Sequence, residues 1–363
     1  MVRALALALA LASVPGLTTT LPPAARRLYA VAWHRVLVQP SMMEWQPLEA
    51  GAPAVAPQTG LVVAGTRDGW LHALRPDGSV AWEFQAAGAF TGQARVVGDT
   101  VYVGNDDGHL YALDAATGRE RWRYDAKEEL GTRPALADGT VYVASLEDTI
   151  FAVDAKTGAW KWHHRRERRE GFTVRGAASA IVDGGVVYGA FSDGFATALD
   201  AATGKPRWER QVAPSGDYLD VDSIQLDGGR LYAAAYSGAV VAVEAATGKP
   251  VWQHVSKEAT RVAVGSGVVV AVTPTQIEAL SPVDGNPIWT TPLDGTAAGE
   301  PVIAGKWLLV PAGTSGLRFL ELASGRRLRV LQPGTGVTAS PAVNGSRAYV
   351  LSNGGDLLAL DLR

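Results

Sequence analysis

Hydrophobic and polar residues alternate over short stretches of this chain, as they do in half-buried β-strands. In residues 100–114, Val101 and Val103 alternate with polar neighbours, and a second apolar run follows the pair Asp107-Gly108. An Asp-Gly pair between two such runs is a strong signal for a β-hairpin. Nowhere between the runs does a helical period persist, so the pattern predicts antiparallel strands and excludes alternating strands and helices.

A glycine followed four residues later by a tryptophan recurs along the chain. The tryptophans of the six copies are Trp82, Trp122, Trp162, Trp208, Trp252 and Trp289, and a seventh copy has Arg329 in their place. Successive copies lie about 41 residues apart, the spacing of four-stranded propeller blades. Large aromatic rings fill gaps between packed sheets, so we predict that these tryptophans dock between neighbouring blades. We number the blades from the copy that ends at Trp82.

An eighth copy ends at Arg363 after only two strands. A closed propeller has no free edge, so we expect a strand near Tyr29 to Val38, around Trp33, to complete the last blade. The prediction is an all-β protein: one eight-bladed propeller of four-stranded antiparallel blades over residues 29–363, closed by its N-terminal strand.

The first residues have the character of a secretory signal. Met1 to Ala12 contain one Arg followed by an apolar run of Ala and Leu, which is shorter than the ~20 residues that span a bilayer. We predict a signal peptide over residues 1–14 and a flexible segment over 15–28. The alternative is an uncleaved apolar tail or signal anchor.

Composition removes several classes of protein. The chain has no Cys, which excludes disulfides, thiolate metal sites, a cysteine nucleophile and a lipidated cysteine. Lys and Arg number 33 against 36 Asp and Glu, for a formal net charge of -3. This balance argues against nucleic acid as a partner, because such proteins need a strong basic excess or a basic face.

The sequence also offers little for catalysis or metal binding. His163 and His164 are adjacent, and neighbours on a strand point to opposite faces. Asn105 to Gly108 imitate the start of a calcium loop, but the bidentate Glu is missing and a hairpin explains them. There is no Gly-x-Ser-x-Gly motif. We therefore single out no catalytic, cofactor-binding or metal-binding residue in the sequence.

The pattern Ala-x-Asp-x-x-Thr-Gly-x-x-x-Trp stands at 112–122, 152–162 and 198–208. It resembles the tryptophan-docking repeat of pyrroloquinoline-quinone (PQQ) propellers. That superfamily contains the quinoprotein dehydrogenases and BamB, the cofactor-free propeller of the outer-membrane β-barrel assembly machinery. The dehydrogenases need Ca²⁺ and a catalytic Asp, and many stack a vicinal disulfide on the quinone, which this chain cannot form.

Two connections between blades resemble those of the BamB family. Residues 171–179 (GFTVRGAAS) join blades 3 and 4, and residues 216–223 (GDYLDVDS) join blades 4 and 5. In that family the two connections lie close together and bind BamA, the barrel-inserting subunit, through a POTRA domain. The resemblance gives the partner-binding candidates Phe172, Val174, Arg175, Asp220 and Asp222.

The intervals between tryptophans agree with this reading. Trp162 and Trp208 are 46 residues apart and Trp208 and Trp252 are 44 apart, the two longest intervals. Extra residues in repeat proteins lie in loops on one face, often the binding face.

The resemblance implies a non-enzymatic periplasmic scaffold without a cofactor, a monomer within a complex at the outer membrane. A BamA-like subunit, bound through its POTRA domain, would be its partner, and unfolded outer-membrane proteins would be possible clients. Membrane association would go through the partner, since no cysteine can carry a lipid anchor. Two alternatives stay open: a small exported PQQ-dependent dehydrogenase, and an exported propeller that binds another protein or a glycan.

The segment after Trp162 is strongly basic, over residues 163–170. It is interpreted either as a solvated loop or as a docking surface for an acidic partner. A further alternative is that Arg175 pairs with Asp220 or Asp222 and thereby shapes the two connections.

Overall fold

The alternating segments form β-strands in eight four-stranded antiparallel sheets. The computed structural model describes residues 28–39, 48–167, 177–214, 219–256, 258–294 and 299–363. The predicted signal peptide lies outside these ranges, as does nearly all of the predicted flexible segment. The eight sheets are the blades of a propeller, so the predicted fold class is confirmed.

Strands are numbered along the chain, and each of blades 1 to 7 contains four consecutive strands. The first half of the chain forms β1 (Tyr29–Val36), which belongs to blade 8, and blades 1 to 4: β2 (Ala54–Val55), β3 (Val62–Gly65), β4 (Trp70–Leu74), β5 (Val80–Gln85); β6 (Arg95–Val97), β7 (Thr100–Gly104), β8 (His109–Asp114), β9 (Glu120–Asp125); β10 (Ala135–Ala137), β11 (Thr140–Ala144), β12 (Thr149–Asp154), β13 (Trp160–Arg165); β14 (Ile181–Asp183), β15 (Val186–Ala190), β16 (Phe195–Asp200), β17 (Pro206–Gln211).

The second half of the chain forms blades 5 to 7 and the other three strands of blade 8. These are β18 (Val221–Asp227), β19 (Arg230–Ala235), β20 (Ala239–Glu244), β21 (Pro250–Val255); β22 (Arg261–Gly265), β23 (Val268–Val272), β24 (Gln276–Leu280), β25 (Pro287–Pro292); β26 (Val302–Ala304), β27 (Trp307–Pro311), β28 (Leu317–Glu321), β29 (Arg327–Leu331); β30 (Ala342–Asn344), β31 (Arg347–Leu351), β32 (Asp356–Leu362). The first strands of most neighbouring blades contact one another, so they surround the centre of the ring.

The N-terminal strand closes the ring. β1 pairs antiparallel with β32, from Tyr29 opposite Leu362 to Val36 opposite Asp356. Trp33 lies opposite Ala359 in this register. The closing strand predicted from the incomplete eighth repeat is thus confirmed, and the described ring contains four strands in every blade.

The repeated tryptophans dock each blade on the next. Each indole N–H donates a hydrogen bond to a backbone carbonyl of the following blade, and Trp33 makes the same contact. The acceptors are Pro76 for Trp33, Ala115 for Trp82, Ala155 for Trp122, Ala201 for Trp162, Ala245 for Trp208, Pro282 for Trp252 and Leu322 for Trp289, at 2.8 to 3.1 Å.

The ring of each tryptophan lies on the glycine of the next blade's repeat. A Cβ built on Gly204 would lie 2.6 Å from the Trp162 ring, and the φ of Gly204 is +69°. Glycine is therefore required there by close approach and by backbone conformation together. In each repeat that has both residues, the glycine contacts the tryptophan of the preceding blade, and the tryptophan contacts the glycine of the following blade. These contacts between blades explain why the spacing of glycine and tryptophan recurs.

The seam between blades 7 and 8 is built differently, because Arg329 replaces the tryptophan. Tyr29 of the closing strand stacks on Phe319, with ring centroids 5.2 Å apart and an interplanar angle of 25°. The guanidinium of Arg329 lies over Tyr29, 5.7 Å from the ring centroid. An aromatic from the N-terminal strand thus replaces the missing tryptophan.

Two faces of the ring follow from this order. One face, which we call the connection face, holds the connections between blades and the turns between second and third strands. On this face the N–H of Leu146, in the turn between β11 and β12, donates to the carbonyl of Glu129, in the connection between blades 2 and 3. The opposite face holds the Thr-Gly turns. The described residues contain no helix with the length and hydropathy needed to cross a membrane.

Candidate partner-binding site

The predicted partner-binding residues belong to two connections on the connection face. Phe172, Val174 and Arg175 fall in residues 168–176, outside the described part of the chain. Asp220 and Asp222 are described, immediately before and within β18. The structure therefore locates the second half of the predicted site.

The two long intervals of the repeat have different structural causes. Between blades 3 and 4, the chain leaves β13 at Arg165 and enters β14 only at Ile181. Between blades 4 and 5, the extra residues lengthen the inner strand: β18 has 7 residues, whereas β6 has 3. A bulge between Val221 and Ser223 interrupts its pairing with β19. Only the first interval adds a long connection, contrary to the expectation that both would.

Asp220 is fixed by its apolar neighbours. It is 1% exposed, and its carbonyl accepts the N–H of Tyr236 at 3.0 Å. Leu219 and Val221 on either side belong to the core between blades 4 and 5. The side chain is thus held below the surface of the connection face.

Asp222 is buried as well, with 7% of its side chain exposed. Its carboxylate lies 3.7 Å from Arg261 of blade 6, and its Oδ1 has no hydrogen-bond partner among the described residues. Burial raises its pKa, Arg261 opposes this, and the charges of Asp220 and Asp148 add to it, so that the pKa of Asp222 is about 6. The ionised form of Asp222 is therefore disfavoured in the folded protein.

The charge of Asp148 also raises the pKa of Asp222, so we group Asp148, Asp220 and Asp222 as an acidic cluster. Asp148 is 6% exposed and has a φ of +59° in the turn between β11 and β12. It accepts hydrogen bonds from the backbone N–H and hydroxyl of Ser192 in blade 4, and its carbonyl accepts the N–H of Arg166. It links blades 3 and 4 where the long connection begins.

Sequence reasoning missed Asp148, although a signal was present. The same turn in blades 2 and 4 reads Asp107-Gly108 and Asp193-Gly194, and Asp148 stands at the glycine position. Asp adopts a positive φ more readily than most residues with a side chain, but at a cost. An Asp in place of glycine at this turn position therefore indicates that the Asp148 side chain makes contacts that the structure needs.

The described part of the basic segment forms ion pairs between blades. Arg166 contacts Asp193 and Glu209 of blade 4, both at 2.6 Å, and lies 4.3 Å from the ring centroid of Phe195. Arg165 contacts Glu128 at 3.0 Å and Glu147 at 3.4 Å. These two arginines anchor the connection to the ring, which neither of the two interpretations from sequence anticipated.

A second feature, the central channel, was not predicted. Seven blades place a polar or charged residue in its lining: Gln93, Arg133, Ser179, Asp222, Arg261, Glu300 and Ser340. These residues occupy the same place in their repeats, just before or at the start of the inner strand, and this shared position is a signal in the sequence. Hydrogen bonds join neighbours, from Arg133 N–H to Ser179 Oγ (3.1 Å) and from Glu300 N–H to Ser340 Oγ (2.7 Å).

The channel consists of two chambers. One, of about 320 Å³, opens toward the connections and includes Asp222 and Arg261. The other, of about 650 Å³, reaches the turns of the opposite face. Gln93, Arg133, Glu300 and Ser340 line both, so the polar residues separate the two chambers.

This lining does not fit a quinone cofactor. Neither chamber has a Trp, Tyr or Phe among its described lining residues on which a planar ring could stack. The described ranges also contain no group of three or more His, Asp or Glu side chains arranged to hold a metal ion. The polar residues that line the channel offer hydrogen bonds and charges instead of a stacking surface.

The fold is shared with solved structures. BamB from Moraxella catarrhalis superposes with a TM-score of 0.79 at 24% identity, covering 92% of this chain and 100% of that one. A quinohemoprotein alcohol dehydrogenase, ADHIIG from Pseudomonas putida HK5, gives 0.71 at 15% identity, covering 92% of this chain and 76% of that one. A designed protein, Ika8, gives 0.72 at 16% identity, with coverages of 87% and 100%.

Among curated proteins, a polyvinylalcohol dehydrogenase from a Pseudomonas species is 49% identical over 47 residues. That segment is 13% of this chain and only 7% of the dehydrogenase. The model of the family described as outer membrane protein assembly factor BamB matches residues 67–257 and 236–363, most of the ring. The chain belongs to this BamB family of PQQ-type β-propellers.

Proposed function

We propose that this protein is a non-enzymatic scaffold for the assembly of outer-membrane proteins, and that it binds a BamA-like subunit through a POTRA domain. Membership of the BamB family carries this proposal. The contacts of the first connection with blade 4 support it, because Arg166 and Asp148 tie the start of that connection to the blade from which the second connection begins.

The proposed contact residues are Phe172, Val174 and Arg175. An arginine beside apolar side chains is the composition typical of binding hot spots, and its charge sets the register of docking. Asp220 and Asp222, being buried, serve in this proposal as positioning residues that hold the second connection in shape. The acidic cluster would also favour a nearby cation, which agrees with an arginine on the first connection.

The proposed location is the periplasmic side of the outer membrane. The apolar N-terminal run supports export. With no cysteine in the sequence to carry a lipid, retention at the membrane is assigned to the partner. Unfolded barrel proteins are the proposed clients, since exposed blade edges can pair with an extended chain.

Co-purification from envelope extracts tests the proposal. The wild-type protein should recover a barrel-assembly subunit in mild detergent, and Arg175→Glu should reduce recovery by tenfold or more. The matched control is Arg119→Glu, which reverses an exposed arginine in a Thr-Gly turn of the opposite face. Equal recovery by wild type and Arg175→Glu, with unchanged melting temperatures, would contradict the assigned site. Recovery of no such subunit by the wild type would contradict the function.

The alternative function is a PQQ-dependent dehydrogenase. The 47-residue match to polyvinylalcohol dehydrogenase favours it. Calorimetric titration with the quinone and Ca²⁺ separates the two functions. Our proposal expects no binding, and saturable binding with a quinone spectrum would favour the enzyme.

A further inference from the structure

Two arginines in the channel lack an acidic partner. Arg95 begins β6 in blade 2, and Arg133 precedes β10 in blade 3. Neither forms an ion pair with any described residue, and among the described residues the guanidinium of Arg133 donates only to the side-chain carbonyl of Gln93, at 3.3 Å. Arg261, in the same channel, lies beside Asp222 instead.

The two charges act on each other. Both side chains are exposed to the channel, and partial desolvation together with the positive charge of Arg133 lowers the pKa of Arg95. Arginine stays charged in proteins, so the two like charges repel each other and attract an anion that lies near both. Several arginines elsewhere in the ring lie beside carboxylates, as Arg121 does with Asp99 and Asp114.

The carboxylate of Glu300 does not neutralise this pair. Glu300 belongs to blade 7, on the side of the eight-bladed ring opposite blade 3, and it accepts a hydrogen bond from Ser223 at 3.2 Å. The described residues place no arginine within ion-pair distance of it. One side of the channel is therefore positive and the other negative.

The chamber around Arg95 has the size and lining of a small-molecule site. Its volume of about 650 Å³ lies within the usual ~300–1,000 Å³. Aliphatic side chains, among them Val55, Val97 and Ile303, line it together with Gln93 and Arg133. Such a chamber matches a ligand with an anionic group and an aliphatic part.

We propose that this chamber binds a small aliphatic carboxylate, with its carboxylate between Arg95 and Arg133 and its hydrocarbon part against Val55, Val97 and Ile303. A planar guanidinium forms paired hydrogen bonds with a carboxylate, which gives the contact its direction. A single negative charge suits the site because Glu300 repels a more highly charged anion from across the channel. This inference does not depend on the proposed scaffold function.

Calorimetry on the full chain tests the proposal with three probes: hexanoate, its neutral analogue hexanol, and inorganic phosphate. Hexanoate should bind, and Arg95→Gln and Arg133→Gln should each weaken it about tenfold or more, as expected for the loss of a charged hydrogen bond. Arg119→Gln, outside the channel, is the matched control and should leave binding unchanged.

Each contrary outcome overturns a defined part of the proposal. Equal binding of hexanol would show that the arginines do not recognise the ligand. Phosphate binding as tight as hexanoate would replace the organic ligand by a free phosphate. Binding of none of the probes would reject the site.

A melting experiment without ligand separates recognition from structural support. Removing one of two repelling charges should leave the melting temperature of Arg95→Gln equal to or above that of the wild type. A marked decrease would instead assign Arg95 to the stability of the ring and overturn the inference.

Discussion

The two faces of the ring hold neighbouring blades together in different ways. Toward the Thr-Gly turns, the same contact recurs: a tryptophan lies on a glycine and donates to a carbonyl. On the connection face between blades 3 and 5, the contacts are polar and occur once, as in Arg166 with Asp193 and Glu209. The repeated contact builds the fold, and the unrepeated contacts distinguish one part of the ring from the rest.

The largest expected effect tests the repeated contact. Trp162 is 6% exposed, and Trp162→Ala should lower the free energy of unfolding by about 3–5 kcal/mol because it leaves a cavity between blades 3 and 4. Urea denaturation measures this. Trp160→Ala, on the same strand but 56% exposed, is the control and should cost under about 1 kcal/mol. Similar losses for both would contradict the docking role.

The second prediction concerns the connection face and pH. The pKa of Asp222 is raised from 3.8 to about 6, so between these values the folded protein binds more protons than the unfolded chain. The contribution of Asp222 to the free energy of unfolding is therefore greatest below about pH 4. This contribution decreases by roughly 3 kcal/mol at most as the pH rises to about 6.

Asp222→Asn should remove this pH dependence, as measured by unfolding midpoints between pH 4 and pH 7. The exposed Asp183 provides the control substitution, Asp183→Asn, which should keep the wild-type slope. If Asp222→Asn also keeps it, the carboxylate is not buried as the structure has it.

The smallest expected effect is at the seam without a tryptophan. Arg329 is exposed and contributes a cation–π contact with Tyr29, so Arg329→Ala should cost only about 0.5–1 kcal/mol. Tyr29→Ala should cost more, because Tyr29 also stacks on Phe319. A loss for Arg329→Ala as large as that for Trp162→Ala would mean that all eight seams depend equally on this position.

Much of the fold was predictable because each repeat carries the same local information. The Asp-Gly turns, the alternation and the glycine-tryptophan spacing are all short-range features. The site was less predictable. Asp220 and Asp222 were singled out by a resemblance. Their burial follows from the packing of the adjacent Leu219 and Val221 into the core between blades 4 and 5 and from the contact of Asp222 with Arg261 of blade 6, which are not local features of the sequence.

The sequence by itself determined the number of blades, the closing strand and the contact that joins the blades, since these depend on a spacing repeated along the chain. Only the tertiary structure decided which charges meet. Arg166 finds carboxylates in the next blade, whereas Arg95 and Arg133 lie together in the channel without one. The physical reason is that ring closure brings together residues from different repeats, and electrostatic energy depends on their separation in space.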